Sequence, residues 1–149
     1  MRNQVNRKRA AQRRILVVDD EPSIRRILSL ILQRDGHVVT EACSGVEALG
    51  LFEPGKFDLI FTDHFMPAMK GDELAAALKK RAPQQMIVML TASLERFRSS
   101  GGAKPEVDYL MGKPFEIETL REAVANCASV RRLRGKRVTT IKLRGPVAC

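Results

Sequence analysis

Residues 15–22 read ILVVDDEP, and this stretch indicates the fold class that the rest of the sequence supports. The four consecutive aliphatic residues from Ile15 to Val18 are typical of a strand buried on both faces, because a half-exposed strand alternates apolar and polar residues. Asp19 and Asp20 follow directly, and Pro22 suits the first turn of a helix. We therefore expect a central strand that ends in two carboxylates and leads into a helix.

The alternation of strand and helix continues along the chain. The first helix has apolar residues at three- and four-residue spacing until Asp35-Gly36 ends it. The pattern predicts further strands at 37–41, 57–62, 86–90 and 107–111, and further helices at 44–53, 72–81, 94–100 and 116–130. Parallel strands require crossover connections, which here are helices. The predicted fold is α/β: a flavodoxin-like, doubly wound five-stranded parallel sheet, in the order 2-1-3-4-5, with helices on both faces.

The formal net charge of +9 arises at the two ends of the chain. Residues 1–14 contain six Lys or Arg and residues 131–149 contain seven, with no Asp or Glu in either segment. The middle, residues 15–130, has 13 basic and 17 acidic residues, a formal charge of −4. We expect a basic extension (1–14), one folded domain (15–130) and a basic tail (131–149). Neither end contains an aromatic residue to stack on bases, so we favour solvated ends over a dedicated nucleic-acid-binding arm, which remains the alternative.

Other features of the sequence argue against membrane, secreted and zinc-binding classes. The longest apolar runs are shorter than the ~20 residues that span a bilayer. No apolar stretch precedes the first strand, so a secretory signal is not expected. The three cysteines, Cys43, Cys127 and Cys149, are far apart and form no disulfide or metal-binding pattern. We therefore expect a soluble, cytoplasmic protein.

Polar side chains stand where several predicted strands end. In open parallel sheets, the functional crevice lies beyond the carboxyl ends of the strands. The residues at those ends are Asp19 and Asp20 after the first strand, Asp63 after the third, Thr91 after the fourth and Lys113 after the fifth. Three carboxylates, one hydroxyl and one ammonium are thus predicted to converge on one pocket.

Four segments together resemble the receiver domains of bacterial two-component response regulators: ILVVDDEPSIRRIL, DLIFTDHFMPAMKGDEL, IVMLTA and GKPF. The resemblance extends from about Arg14 to Val130. It implies that Asp63 is the phosphoacceptor. It also implies that Asp20, Asp63 and the backbone carbonyl of Phe65 bind Mg²⁺, with Asp19 acting through water. A cis peptide before Pro114 is implied as well.

The chemistry of these residue types agrees with the implied roles. Clustered carboxylates raise one another's pKa values unless a cation lies among them, and an all-oxygen ligand set favours Mg²⁺ over zinc. A carboxylate can attack a phosphoryl group, and catalysis of that transfer is mainly positioning and charge neutralisation. Lys113 would pair with the phosphoryl oxygens, and Thr91 would donate its hydroxyl proton to them. We expect a phosphoacceptor that assists its own phosphorylation and slow hydrolysis, and no conventional enzyme.

Each role has a simpler alternative, and two features depart from the family pattern. Asp19 and Asp20 could merely cap a helix, and Asp63 could be a turn residue. Thr91 could be an ordinary strand-end or capping hydroxyl, and Lys113 a solvated surface lysine. We interpret His64 as a loop side chain, neither a phosphocarrier nor a metal ligand. The family's aromatic switch position, three residues before the lysine, holds Leu110, with Tyr109 one step earlier. The helix predicted after Thr91 is short, ending before Gly101-Gly102.

The leading functional hypothesis is phosphorylation-dependent signalling in a two-component phosphorelay. The expected partners are a sensor histidine kinase or a phosphotransfer protein, together with a downstream protein target. Nineteen residues follow Val130, so we expect a single-domain receiver without sequence-specific DNA binding or a membrane span. The alternative is a basic-tailed binding or scaffold protein with a vestigial receiver core. A phosphatase with an aspartyl nucleophile would need a second acid where Phe65 stands. The sequence does not indicate the oligomeric state.

Overall fold

The computed structural model describes residues 11–95 and 105–130 of the chain. The strands within these residues are β1 (Arg14–Val18), β2 (Val38–Ala42), β3 (Leu59–Asp63), β4 (Ile87–Thr91) and β5 (Tyr109–Gly112). The helices that lie wholly within them are α1 (Pro22–Arg34), α2 (Gly45–Leu51), α3 (Gly71–Arg81) and α4 (Ile117–Val130). Both predicted basic ends lie largely outside the described residues.

The five strands form one parallel sheet in the order β2-β1-β3-β4-β5, which confirms the predicted topology. The register sets the level at which the strands end. Val18 pairs with Thr62, and Asp63 pairs with Leu90. As a result, the residues that follow β1, β3 and β4 emerge side by side at one edge of the sheet.

The sheet is buried on both faces, as the aliphatic run in β1 predicts. Successive side chains on a strand point to opposite faces. Ile15 and Val17 accordingly pack in the apolar cluster that includes α1 and α4 residues. Leu16 and Val18 pack in the cluster on the opposite face, with residues of α2 and α3. All four side chains of this run are at most 1% exposed, so both faces of β1 are covered.

The predicted starts of the strands are wrong by one or two residues. β3 begins at Leu59 and β5 at Tyr109, two residues later than expected, because aspartate side chains replace ladder bonds at this edge. Asp58 Oδ2 accepts the backbone N–H of Arg14 at 2.8 Å, and Asp108 Oδ2 accepts that of Ile87 at 2.8 Å. At their other ends, β3 and β4 extend one residue further than predicted and include Asp63 and Thr91.

β2 also begins one residue later than predicted, at Val38. His37, which was expected to open the strand, lies outside it and is buried. Its Nδ1 accepts the backbone N–H of Arg13 at 3.1 Å. This side-chain bond fastens the beginning of the described chain to the turn after α1.

The helices begin close to where the sequence predicts, because proline and capping residues in the local sequence mark where a helix starts. Pro22 occupies the first turn of α1. Ser44 caps α2, its Oγ accepting the N–H of Glu47 at 3.1 Å. α2 ends at Leu51, earlier than expected. Of the short helix predicted after Thr91, residues 94 and 95 are helical and the remainder lies outside the described residues.

α4 is joined to the end of α1 by an ion pair. Arg121 donates to the two carboxylate oxygens of Asp35 at 2.8 and 3.0 Å. None of the described helices has the length and apolar character needed to cross a membrane.

Candidate functional site

Three carboxylates meet at the carboxyl edge of the sheet, as predicted. Asp19 and Asp20 follow β1, and Asp63 is the last residue of β3. One carboxylate oxygen from each lies within 4.8 Å of the others. Asp19 is fully buried and Asp63 is 8% exposed, while Asp20 is the most accessible of the three. The cluster is therefore open to solvent mainly on the side of Asp20 and Asp63.

Asp19 is held in place by four hydrogen bonds. Its Oδ1 accepts the N–H of Glu21 at 2.9 Å, and its Oδ2 lies 3.3 Å from the Lys113 ammonium. Its backbone N–H donates to Ala42 at 3.2 Å, and its carbonyl accepts from Arg25 at 2.7 Å. Burial raises the pKa of Asp19, and the negative charge of Asp63 adds to this, while the bonds from Glu21 and Lys113 oppose it.

Lys113 is the counter-ion of the cluster. Its Nζ donates to Oδ1 of Asp63 at 2.8 Å, and its backbone N–H donates to Thr91 at 2.9 Å. The Lys113–Pro114 peptide is cis, as the resemblance implied. Burial lowers the pKa of Lys113, but the hydrogen bond to Asp63 and the charges of Asp19 and Asp63 together raise it above its ordinary value. Lys113 therefore stays protonated in the pocket.

The donor set of this pocket fits a divalent cation. Three carboxylates and one ammonium leave negative charge in excess, and all the clustered ligand atoms are oxygens. Phe65 lies two residues beyond Asp63 and is 46% exposed. The role predicted for the Phe65 backbone carbonyl stays a prediction.

Thr91 ends β4 beside the pocket, and its side chain contacts a residue that the sequence did not indicate. Thr91 is fully buried, and its Oγ1 lies 3.3 Å from Nδ1 of His64. The N–H of Ser93 also donates to Thr91 Oγ1, at 3.1 Å. His64 does lie in the loop after β3, but it is only 8% exposed. The pairing of Asp63 with Leu90 brings the residue that follows each of them together, and this register is a tertiary feature that the sequence did not predict.

The loop after Asp63 folds back on the strand end. The N–H of Gly71 donates to the carbonyl of His64 at 2.8 Å. A Cβ on Gly71 would collide with the Asp63 carbonyl, so only glycine fits this approach. Ala68, in the middle of the loop, has a φ of 67°, a conformation that glycine and asparagine adopt more readily. The loop geometry therefore holds Asp63 and His64 in place.

The two candidates for the aromatic switch position lie on opposite faces of β5. Tyr109 is buried in the cluster that contains α1 and α4 residues, and its hydroxyl has no hydrogen-bond partner among the described residues. Burial raises the pKa of Tyr109. Leu110 is partly exposed on the other face. The part that either residue plays in switching stays open.

Comparisons with known proteins agree with this arrangement. Residues 15–125 match the family model described as response regulator receiver domain. The chain is 41% identical over 103 residues to the alkaline phosphatase synthesis transcriptional regulatory protein PhoP of Bacillus subtilis, covering 69% of this chain and 43% of PhoP. It is 34% identical over 134 residues to the transcriptional regulatory protein SrrA of Staphylococcus aureus, covering 90% of this chain and 53% of SrrA. The chain thus spans about half the length of these relatives.

Solved structures with the same fold include two receiver proteins. A response regulator receiver domain protein from Clostridium thermocellum has a TM-score of 0.72 and 27% identity, over 80% of this chain and 97% of that one. The response regulator TrrA from Thermotoga maritima, in complex with Mg²⁺–BeF, has a TM-score of 0.69 and 36% identity, over 78% of this chain and 99% of that one. With its strand order and its pocket, this chain belongs to the response regulator receiver domain family of two-component systems.

Proposed function

We propose that this receiver domain accepts a phosphoryl group on the Asp63 carboxylate, with Mg²⁺, and that the product changes how the domain binds a protein partner. One observation carries the proposal most directly. Asp63 ends a central strand inside a three-carboxylate cluster, and Lys113 lies 2.8 Å from its Oδ1. This arrangement provides a nucleophile and a fixed positive charge at the same point.

The reaction is a displacement at phosphorus. A carboxylate oxygen of Asp63 forms a bond to phosphorus, and the bond from phosphorus to the donor's leaving group breaks, which gives an acyl phosphate. Asp20, Asp63 and the carbonyl of Phe65 would hold Mg²⁺, with Asp19 acting through water, and the ion would neutralise charge on the phosphoryl oxygens. Lys113 pairs with one of these oxygens, and the Thr91 hydroxyl donates to another.

The related TrrA structure supports the metal and the phosphoryl site, because it was solved in complex with Mg²⁺–BeF. We expect the phosphoryl donor to be a sensor histidine kinase or a phosphotransfer protein, and the receptor of the signal to be a downstream protein. Residues 15–130 have a formal charge of −4, so we expect no sequence-specific DNA binding from this domain itself. The domain acts as a phosphoacceptor that assists its own transfer and slow hydrolysis.

The proposal is tested with a small-molecule phosphodonor such as acetyl phosphate, with and without Mg²⁺. We expect intact mass to rise by one phosphoryl group, only with Mg²⁺, and peptide mapping to place it on Asp63. Asp63→Asn should abolish the adduct. Glu53→Gln, which removes an exposed carboxylate outside the pocket, should leave it unchanged.

Two outcomes of this test would contradict the proposal. Labelling of Asp63→Asn at the rate of the original protein would place the acceptor elsewhere. A folded wild-type protein that takes up no phosphoryl group would favour the scaffold alternative.

A further inference from the structure

The hydroxyl of Thr91 is the centre of a small buried hydrogen-bond network. The side chain is fully buried, and its Oγ1 lies 3.1 Å from the Ser93 backbone nitrogen and 3.3 Å from Nδ1 of His64. His64 is held from the other side as well. Its backbone N–H donates to the carbonyl of Leu90 at 2.9 Å and to the carboxylate of Asp63 at 2.9 Å. Its carbonyl accepts the N–H of Gly71 at 2.8 Å.

The direction of the bond between Thr91 and His64 depends on which ring nitrogen of His64 carries the proton. A threonine hydroxyl has one proton to donate and two lone pairs that accept. The Ser93 N–H occupies one lone pair and cannot accept the proton. Within residues 11–95 and 105–130, the ring nitrogen that lies within hydrogen-bond distance of Thr91 Oγ1 is His64 Nδ1, which accepts when the ring proton is on Nε2. The arrangement that gives the Thr91 hydroxyl proton an acceptor is donation to Nδ1, with the proton of a neutral His64 ring on Nε2.

From this geometry we infer that His64 is a positioning residue that competes with the phosphoryl group for the hydroxyl proton of Thr91. The inference rests on the proposed function, in which that same proton is donated to a phosphoryl oxygen. The single hydroxyl proton of Thr91 can form one full-strength hydrogen bond at a time. The bond to His64 must therefore be broken, or the ring must move its proton from Nε2 to Nδ1, before Thr91 can follow the phosphoryl group.

The competition biases the domain toward its unphosphorylated arrangement. A contact made in only one of two states shifts the equilibrium by its differential free energy. A neutral hydrogen bond of this kind corresponds to a shift of about two- to tenfold. The 3.3 Å separation is longer than most hydrogen bonds of a hydroxyl, which suits a bond that is released at each signalling event.

Two substitutions at one position separate the acceptor from the shape of the side chain. His64→Leu removes the acceptor while filling a similar volume. His64→Asn places an amide oxygen close to the position of Nδ1 and keeps an acceptor there. The probe is beryllium fluoride titrated at saturating Mg²⁺, since it coordinates a carboxylate oxygen with the tetrahedral geometry of a phosphoryl group.

We expect His64→Leu to bind beryllium fluoride about two- to tenfold more tightly than the original protein. His64→Asn should bind within about twofold of it. The gain must depend on the hydroxyl, so adding His64→Leu to Thr91→Val should change the affinity by less than about twofold. A side chain that only filled space would not show this dependence. Equal or weaker binding by His64→Leu, or the same gain in the Thr91→Val background, would overturn the inference.

A direct readout comes from the nitrogen NMR spectrum of the His64 ring in the wild-type protein. We expect an unprotonated Nδ1 and a protonated Nε2 before beryllium fluoride is added. A neutral ring with its proton on Nδ1 in this state would overturn the inference even if His64→Leu fails to fold. If acetyl phosphate labels Asp63 while these tests fail, the inference is wrong and the proposed function stands. If Asp63 is not labelled and beryllium fluoride does not bind, the proposed function itself fails.

Discussion

The ammonium of Lys113 donates a hydrogen bond to Oδ1 of Asp63 at 2.8 Å, although 50 positions separate the two residues in the chain. The same ammonium lies 3.3 Å from Asp19, so one lysine compensates two carboxylates. The proposed phosphoryl transfer would add further negative charge at this point. We therefore expect Lys113 to be needed both before and after the proposed reaction.

Replacing Lys113 with alanine should slow the phosphorylation of Asp63. A hydrogen bond to a charged group corresponds to ~1.5–3 kcal/mol, so we expect the initial rate to fall by roughly ten- to a hundredfold. The rate is measured by intact mass over time with acetyl phosphate and Mg²⁺. Lys79→Ala removes an equal charge that pairs with Asp108 outside the pocket and is the control. A rate equal to that of the control would reject the role of Lys113.

Asp20→Asn should weaken Mg²⁺ binding without unfolding the domain. Asp20 is the most accessible carboxylate of the cluster, so its replacement should leave the fold intact. The change removes one of the expected Mg²⁺ ligands and one negative charge. We expect the Mg²⁺ dissociation constant to rise by about tenfold or more, which corresponds to ~1.4 kcal/mol. The metal-free variant should be as stable as the original or more so, because like-charge repulsion is relieved. Titration by amide NMR and thermal unfolding in EDTA measure the two effects, with Glu53→Gln as control. Identical Mg²⁺ titrations would reject the ligand role.

Thr91→Ala should separate phosphorylation from the structural response. The carboxylates and Lys113 remain, so labelling of Asp63 should stay within about tenfold of the original rate. The amide shifts of β4 and β5 on phosphorylation should shrink to a minor part of their original size, since no hydroxyl follows the phosphoryl oxygen. Thr91→Ser keeps the hydroxyl and should restore the shifts. A full response in Thr91→Ala would mean that switching bypasses Thr91, a result that the Leu110 departure makes informative.

His37 should make stability depend on pH. Burial lowers the pKa of His37, Arg13 adds to this and Asp35 opposes it. The unfolded chain therefore binds the proton more readily than the folded domain. The resulting stability is present above the unfolded pKa of about 6.5 and is lost as the pH falls through the lower folded pKa.

Substitution with asparagine isolates this contribution. His37→Asn keeps an acceptor near the Arg13 N–H but does not titrate in this range. Denaturant unfolding at several values between about pH 5 and 7.5 should show a steeper acid-side loss for the original protein than for the variant. Parallel pH profiles would exclude His37 as the cause.

Gly71→Ala should destabilise the domain and disturb the pocket. The added methyl group collides with the backbone carbonyl of Asp63, which cannot rotate away as a flexible side chain can. We expect a loss of about 1–3 kcal/mol in the free energy of unfolding, with a lower rate of Asp63 labelling. Gly50→Ala is the matched control. It lies in α2 with no atom within 4 Å of the new methyl group, so it should stabilise the domain by ~0.5–1 kcal/mol. Equal effects of the two substitutions would contradict the close approach.

The sequence predicted the pocket well because parallel topology concentrates strand ends at one edge. Once the aliphatic run before Asp19 indicates a central strand, Asp63, Thr91 and Lys113 follow from the same rule. The opposite edge was harder to predict. There, Asp58 and Asp108 replace backbone ladder bonds, and a period-two pattern does not distinguish such a residue from the first residue of a strand.

The contact between His64 and Thr91 could not be predicted from the sequence, for a different reason. The local sequence around a histidine that follows a strand is the same whether the ring faces solvent or the neighbouring strand, so it does not predict the direction of the ring. Its direction is set by the register of β3 on β4 and by the return of the loop at Gly71. Both are tertiary features, formed only when segments distant in the chain meet.

The sheet order also has a consequence for how the protein is made. Asp19 and Lys113 are 94 positions apart, and β5, which leads directly to Lys113, is an edge strand that pairs with β4. During translation all three carboxylates leave the ribosome long before their ammonium partner. Until β5 joins the sheet, the growing chain contains a cluster of negative charges without its fixed counter-ion. Competence to accept the proposed phosphoryl group would thus be acquired late in synthesis, and a chain that stops before β5 would lack Lys113, which we expect to speed the transfer.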